Sequence, residues 1–307
     1  QHPGCGQMQW RLPRRTLAFD DSPGSPWLVV PPEVRASFEL LREAGVPLAD
    51  GPAGRPHLGV KSGFNLAFLV TCGALHRDDT VEIVAANGRA ARIERSLLRP
   101  VLRGEAIRAW RASAPNEYIV WTHGPAGRPL DRLPPLAGRW LAGWRRQLMT
   151  RSDTHGARWW SLFRVDAARC DLPRVIWADL GRSPRALVVP AGDSVVPLNS
   201  CYALLCREHD DALALAAVLN SPIAEAWLAA LAEPARGGYR RFLGWTMALL
   251  PVPRDWERAR RLVAPLALDT IASNEPAASR DVLLEAVLEA FHLRHRELAP
   301  LLTWFSG

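Results

Sequence analysis

Residues 59–70, Gly-Val-Lys-Ser-Gly-Phe-Asn-Leu-Ala-Phe-Leu-Val, constrain the chain more than any other stretch: a polar loop bracketed by Gly59 and Gly63 runs straight into an apolar, strand-like segment. The combination reads as a contact loop on the edge of a sheet. Without a Cβ, the two glycines permit backbone angles and close approaches that other residues forbid, and Lys61, Ser62 and Asn65 supply hydrogen-bonding side chains around them. Lys61 is the one lysine in a chain with 37 arginines. A bias that turns ordinary surface lysines into arginines leaves the survivor at a place where a planar guanidinium will not serve. The plainer alternative is a hairpin entry carrying one solvated lysine.

The arginine surplus sets the net charge at +7 and the pI near 9.8, and 13 tryptophans accompany it. That pairing points to a polyanionic partner more than to a metabolite. A length of 307 residues is ample for a buried core and fits about two domains. No apolar run reaches the roughly 18 to 20 residues of a membrane span, because residues 212–232 are interrupted by Asn220, Ser221, Pro222 and Glu225. There is no signal-peptide pattern, and an opening on Gln1 fits a piece of something longer. The cysteines, at 5, 72, 170, 201 and 206, are odd in number and lack C-x-x-C spacing, so neither a disulfide framework nor a metal site is expected. Cys201 and Cys206 read as small buried hydrophobes on opposite faces of a strand, in a reducing bacterial or archaeal cytoplasm.

In chain order, residues 1–30 form an irregular lead-in, and a helix runs from Glu33 to Ala44 with Gly45 as its C-terminal cap. The hexapeptide at 51–56 recurs at 124–129 as turn material. Strands are expected at 67–72 and 80–85, the second followed by an Asn87-Gly88 turn. Residues 97–110 then place Arg99, Arg103 and Arg108 around an apolar frame. These side chains suit phosphate contacts or a solvated basic loop. A short strand follows at 118–121, and one helix over 136–149 carries Trp140, Leu141, Trp144 and Leu148 on one stripe, with Arg139 and Arg146 opposite. In Arg158-Trp-Trp-Ser-Leu-Phe-Arg164 the paired tryptophans suit base stacking, although core burial is the commoner fate and is favoured for at least one. Strands are expected at 174–178, 185–189 and 200–206. Ser221 and Pro222 separate two alanine-leucine helices. The loop Arg236–Phe242 sets Gly237 and Gly238 beside Tyr239, Arg240 and Arg241, a second contact candidate, and residues 255–307 are mainly helical.

Several chemistries are excluded by missing patterns. The dinucleotide glycine fingerprint, the phosphate loop ending in Gly-Lys-Ser/Thr and the H-E-x-x-H zinc motif do not occur. The metal-dependent nuclease pattern acid-x-Lys fails, since Gly59 stands two before the sole lysine. The histidines are scattered, and His292 with His295 fits surface or cap roles. No catalytic residue and no metal ligand is assigned.

Ordered pieces of the chain together resemble the C-terminal target-recognition, or specificity, domains of TaqI-like adenine-specific DNA methyltransferases, also found in fused restriction-modification enzymes. The pieces are GVKSGFNLAFLV (59–70), LLRPVLRGEAI (97–107), the helix leading through Arg151 to WWSLFR (159–164), RVIWADLG (174–181), LNSPIAEAWL (219–228), GGYRRF (237–242) with LLPVP (249–253), and LLEAVLEAF (283–291). The resemblance implies an α+β fold with a mixed, mostly antiparallel β-sheet flanked by helices and a helical C-terminal extension. It divides the chain into a lead-in with its helix (1–57), a DNA target-recognition domain (58–254) and the extension (255–307).

The family's catalytic half, with its Asp/Asn-Pro-Pro-Tyr/Phe motif and its glycine-rich S-adenosylmethionine loop, has no match; Leu133-Pro-Pro-Leu136 and Gly4-Cys-Gly6 fit neither. The resemblance therefore implies a reader of double-stranded DNA with no chemistry of its own. It would direct a methyltransferase catalytic domain or subunit that binds S-adenosylmethionine, in restriction-modification or phage defence. By position within the matched pieces, Lys61, Ser62, Gly63, Asn65, Arg103, Tyr239, Arg240 and Arg241 are expected at the DNA, with Arg99, Arg146 and Arg164 beside them. The competing readings are a tryptophan-rich protein-interaction scaffold and an independent enzyme with an unrecognised site.

Overall fold

The computed structural model describes residues 11, 17–20, 25–153, 157–273 and 280–304. Cys5, the Gly4-Cys-Gly6 string and most of the lead-in lie outside the described residues.

The chain is α+β and builds two main sheets in place of one. The larger has six strands in the spatial order Val196–Pro197, Leu98–Leu102, Tyr118–Val120, Leu69–Leu75, Thr80–Ala85, Ala90–Glu94. All its pairings are antiparallel except that of Val196–Pro197 with Leu98–Leu102. Alternation writes the Thr80–Ala85 strand: Val81, Ile83 and Ala85 are buried while Glu82 and Val84 face out. The Asn87-Gly88 turn forms as expected, with Gly88 at φ 82°. The strand expected from residue 67 begins instead at Leu69, because Asn65–Phe68 is a turn of helix. Ala67, Phe68, Leu69 and Val70 are all buried, and a strand would send every second one to the far face. The helical turn lets the first two share the core.

The second sheet orders Ala186–Val189, Arg174–Ala178, Cys201–Leu205 and His57–Leu58, all antiparallel. Val175 and Trp177 on one face of its central strand join the core of the helices Pro32–Ala44, His209–Leu219, Pro222–Leu231, Trp256–Ala272, Arg280–Ala290 and His295–Trp304. Ile176 on the other face joins a small cluster with Leu187 and Ala203. Cys201 belongs to the second group and Cys206 to the first, so the two thiols do face apart, and burial pushes both up to about 12. Ser221 caps its helix by accepting from Ala224 N, and Pro222 opens it.

Two further local expectations change. Gly45 is extended, φ −115°, and not a left-handed cap: it starts the strand Gly45–Pro47, where a Cβ would lie 2.7 Å from the Val252 carbonyl oxygen of the partner strand Pro251–Pro253. The stripe over 136–149 is two helices, Pro135–Ala142 and Arg145–Met149. Between them Gly143 leaves room for the Arg89 guanidinium, which lies 5.2 Å from the Trp140 ring centroid and 4.9 Å from that of Trp144. Among the described residues no single helix is long and apolar enough to cross a membrane; the apolar pair His209–Leu219 and Pro222–Leu231 bends by 63° and is mostly buried.

Candidate nucleic-acid interface

The loop at 59–65 is stitched to the rest of the fold through its backbone. Gly59 N donates to Cys201 O at 2.9 Å and Val60 N to Pro197 O at 2.8 Å, while Lys61 and Phe163 exchange both backbone hydrogen bonds at 3.0 Å. Gly59 is required by proximity, since a Cβ there would overlap the Leu198 carbonyl, and Gly63 by its φ of 67°. Ser62 is buried, its hydroxyl turned inward to donate to Asn65 Oδ1 at 2.6 Å and to accept from Phe64 N at 3.2 Å; Asn65 itself is exposed.

Arg151 fastens the loop to the neighbouring segment. Its guanidinium donates to the carbonyl oxygens of Ser62 at 2.5 Å, Ser161 at 2.9 Å, Trp159 at 2.8 Å and Leu148 at 3.0 Å, and lies 4.8 Å from the Phe163 ring centroid. Desolvation lowers its pKa, offset in part by Asp153. Sequence reasoning used Arg151 only as a waypoint, and no spacing rule could have shown that residues 89 positions apart meet here.

Lys61 Nζ pairs with Asp153 Oδ2 at 2.5 Å, both side chains partly exposed. The Lys61 hydrogen bond and charge, with Arg164 and Arg151, hold the Asp153 carboxyl below the usual carboxylate range. Arg164, next after Phe163, is exposed and left-handed at φ 57°. Trp159 and Trp160 are both half-buried against the sheet core, edge to face at 5.2 Å, with Arg145 over the first and Arg158 over the second. Both pack against the core, and a guanidinium lies over one face of each ring. Arg146 is exposed on its short helix.

The second segment stands beside the first. Arg99 is half-buried, 4.2 Å from the Trp121 ring centroid, and desolvation lowers its pKa. Arg103 Nε donates to Glu117 Oε2 at 2.6 Å, which raises its pKa. Gly104 opens a 3-10 turn, donates to Ser200 Oγ at 3.0 Å, and would drive a Cβ to 2.6 Å from Ser200 O.

The third segment forms a small sheet in which Arg240–Arg241 lies between Leu180–Gly181 and Glu233–Pro234. Gly237 and Gly238 take φ of 76° and 77°, leaving Tyr239 and Arg241 exposed and Arg240 half-buried. Phe242 anchors the loop from inside, its N–H donating to Asp179 O at 2.8 Å and its carbonyl accepting from Trp177 Nε1 at 3.0 Å. A groove of about 540 Å³ runs between Gly104–Arg108 and Ala178–Ser183, with Tyr239 on its wall and Arg182 5.7 Å from the Tyr239 ring centroid. Burial raises the Asp179 carboxyl, opposed by Arg241.

Sequence reasoning missed a shared support, residues 196–201, which bonds the first two segments directly and the third through Asp179, whose N–H donates to Ser200 O at 3.0 Å while its carbonyl accepts from Phe242 N. This stretch bonds Gly59 and Val60, receives Gly104 on Ser200, and donates from Leu198 N to Leu102 O at 3.0 Å. Fully buried Arg174 fixes the turn before it, donating to the carbonyls of Val195 and Asp193, each at 2.8 Å; burial lowers its pKa to about 10. Among the described residues no three His, Cys, Asp or Glu side chains gather as a metal site.

No protein-family model and no curated protein matches this sequence. The fold has a solved counterpart. The Type IIL restriction-modification enzyme MmeI, determined in complex with DNA, matches 85% of this chain with a TM-score of 0.52 at 11% identity. At that identity the likeness is one of fold. The chain spans 36% of the length of the MmeI chain it matches.

Proposed function

We propose that this chain is a target-recognition domain that binds duplex DNA sequence-specifically and directs an adenine-specific DNA methyltransferase of the TaqI-like kind. The observation that carries the reading is the convergence of the three contact segments on residues 196–201, the third by way of Asp179, in a fold shared with a restriction-modification enzyme solved on DNA. Phosphate contacts from exposed arginines such as Arg146 and Arg164 set register. Asn65, Tyr239 and Arg241, raised on glycine-bearing loops, present the side chains that meet base edges. In this reading S-adenosylmethionine is bound by a companion catalytic domain or subunit, and the system works in the cytoplasm on the nucleoid.

The test is binding of the 307-residue chain to random duplexes across a salt series. Neutralising several phosphates gives a log-log slope of about −0.9 for each, and selection should enrich one short sequence. Binding that ignores salt, or selection that enriches nothing, removes the reading. Incubated with labelled S-adenosylmethionine and DNA, the chain alone should transfer no methyl group, and a catalytic companion should restore site-specific labelling.

A further inference from the structure

Lys61 is held in the free protein by a carboxylate at the surface where a polyanion is expected. Asp153 meets Lys61 Nζ at 2.5 Å, with Arg164 and Arg151 close enough to act on its charge. These cations differ in what they are free to do. Arg151 is committed to four backbone carbonyls. Lys61 and Arg164 are joined through the Lys61–Phe163 backbone bridge; Arg164 is exposed, and the Lys61 side chain keeps 37% of its surface in water. Arg164 also holds a left-handed backbone, φ 57°, a strained state for a residue with a Cβ and one that recurs at functional sites.

Resting on the DNA-binding reading above, we propose that Lys61 and Arg164 form a phosphodiester site which Asp153 occupies in the free protein, its carboxylate standing where a backbone phosphate binds. A phosphodiester offers the same single negative charge and the same pair of acceptor oxygens. Exchange is easy because an ion pair this exposed is only weakly held. Bound DNA then displaces Asp153 from Lys61, and the released carboxylate recaptures a cation from solution. The pair makes free Lys61 less available to any polyanion, which lowers indiscriminate binding.

The test compares duplex binding by the full chain and by Asp153→Asn and Asp153→Ser over a salt series, with thermal unfolding to confirm that each variant folds. Both variants should bind every sequence about two- to fivefold tighter near physiological salt, the scale of an exposed ion pair. The log-log slope should steepen by up to about 0.9, since no carboxylate is left to recapture a cation. The gain should vanish when Lys61→Ala is added. Unchanged or weaker binding, a gain confined to one sequence, or a gain that survives Lys61→Ala overturns the inference and leaves the wild-type DNA binding standing. Wild-type protein that binds no duplex at all removes the proposed function, and this site with it.

Discussion

The helical core around Trp227 and the sheet core around Trp140 are both built on aromatic rings, yet they use those rings differently. In the helical core ring meets ring: Trp227 stacks on Phe38 at 3.7 Å and 5°, with Phe19 edge-on to both at 6.0 Å. Around them the helices contribute alanine and leucine, and Arg42 over Phe19 is the guanidinium at the margin. In the sheet core rings meet edge to face, as Trp140 and Trp144 do at 6.5 Å, but guanidinium groups also cover them: Arg89 over Trp140 and Trp144, Arg99 over Trp121, Arg145 over Trp159, Arg158 over Trp160 and Arg151 over Phe163. A ring face takes up the apolar side of a guanidinium and leaves its edge N–H groups to point elsewhere. The first arrangement closes a core, and the second fixes positive charge at a surface. On the proposed function, the first carries stability and the second carries most of the contact surface, with the 237–242 loop anchored on the helical core through Phe242.

The sharpest way to break that division is Trp227→Ala. It should cost about 3–5 kcal/mol of stability in a denaturant titration, as large-to-small changes in buried aromatic positions do, and leave DNA affinity per folded molecule unchanged. A specific loss of binding by the folded fraction would end the separation of roles. Arg151→Ala comes next: by removing the donors to four backbone carbonyls it should cost about 2–3 kcal/mol, and sequence discrimination should fall as the 59–65 loop loosens. Discrimination that persists in the folded variant would mean that the loop is not the reader.

Asn65→Ala should weaken specific binding by about 1–3 kcal/mol if it meets a base edge, whereas Lys61→Ala and Arg146→Ala should weaken all sequences alike and each flatten the salt slope by about one phosphate. Competition binding with cognate and scrambled duplexes separates the two patterns. The mildest test is pH. His123 lies in the sheet half, and burial followed by the charge of Arg99 lowers its pKa to about 4 from 6.5. A folded pKa below the unfolded one means the unfolded chain binds the extra proton between those values. Stability from this group is therefore complete above pH 6.5 and is lost on the way down to 4. The loss should reach about 2 kcal/mol at pH 5, and His123→Gln should remove that part of the slope in pH-dependent melts.

What the sequence by itself determined lies in short-range pattern. Alternation at 80–85 and the Asn87-Gly88 turn specify the hairpin, Ser221-Pro222 the helix break, and an odd separation the opposed thiols of Cys201 and Cys206. Each is a matter of neighbours within a few residues, where backbone geometry alone decides which face a side chain takes. The loop at 59–65 was visible as a feature because glycines beside polar side chains are a local signal. Its partners were not. Arg151 reaching Ser62, Asp153 reaching Lys61, and residues 196–201 joining Gly59 to Gly104 depend on how two sheets dock, which no period in the sequence encodes. The same holds for Gly45, Gly59 and Gly104, where the need for glycine is another segment's carbonyl oxygen and not the residue's own backbone angle. Local pattern fixes which elements form, because it is read by the chain's own geometry. Only tertiary packing decides which side chains meet across them, because burial energy depends on surfaces brought together from distant parts of the chain.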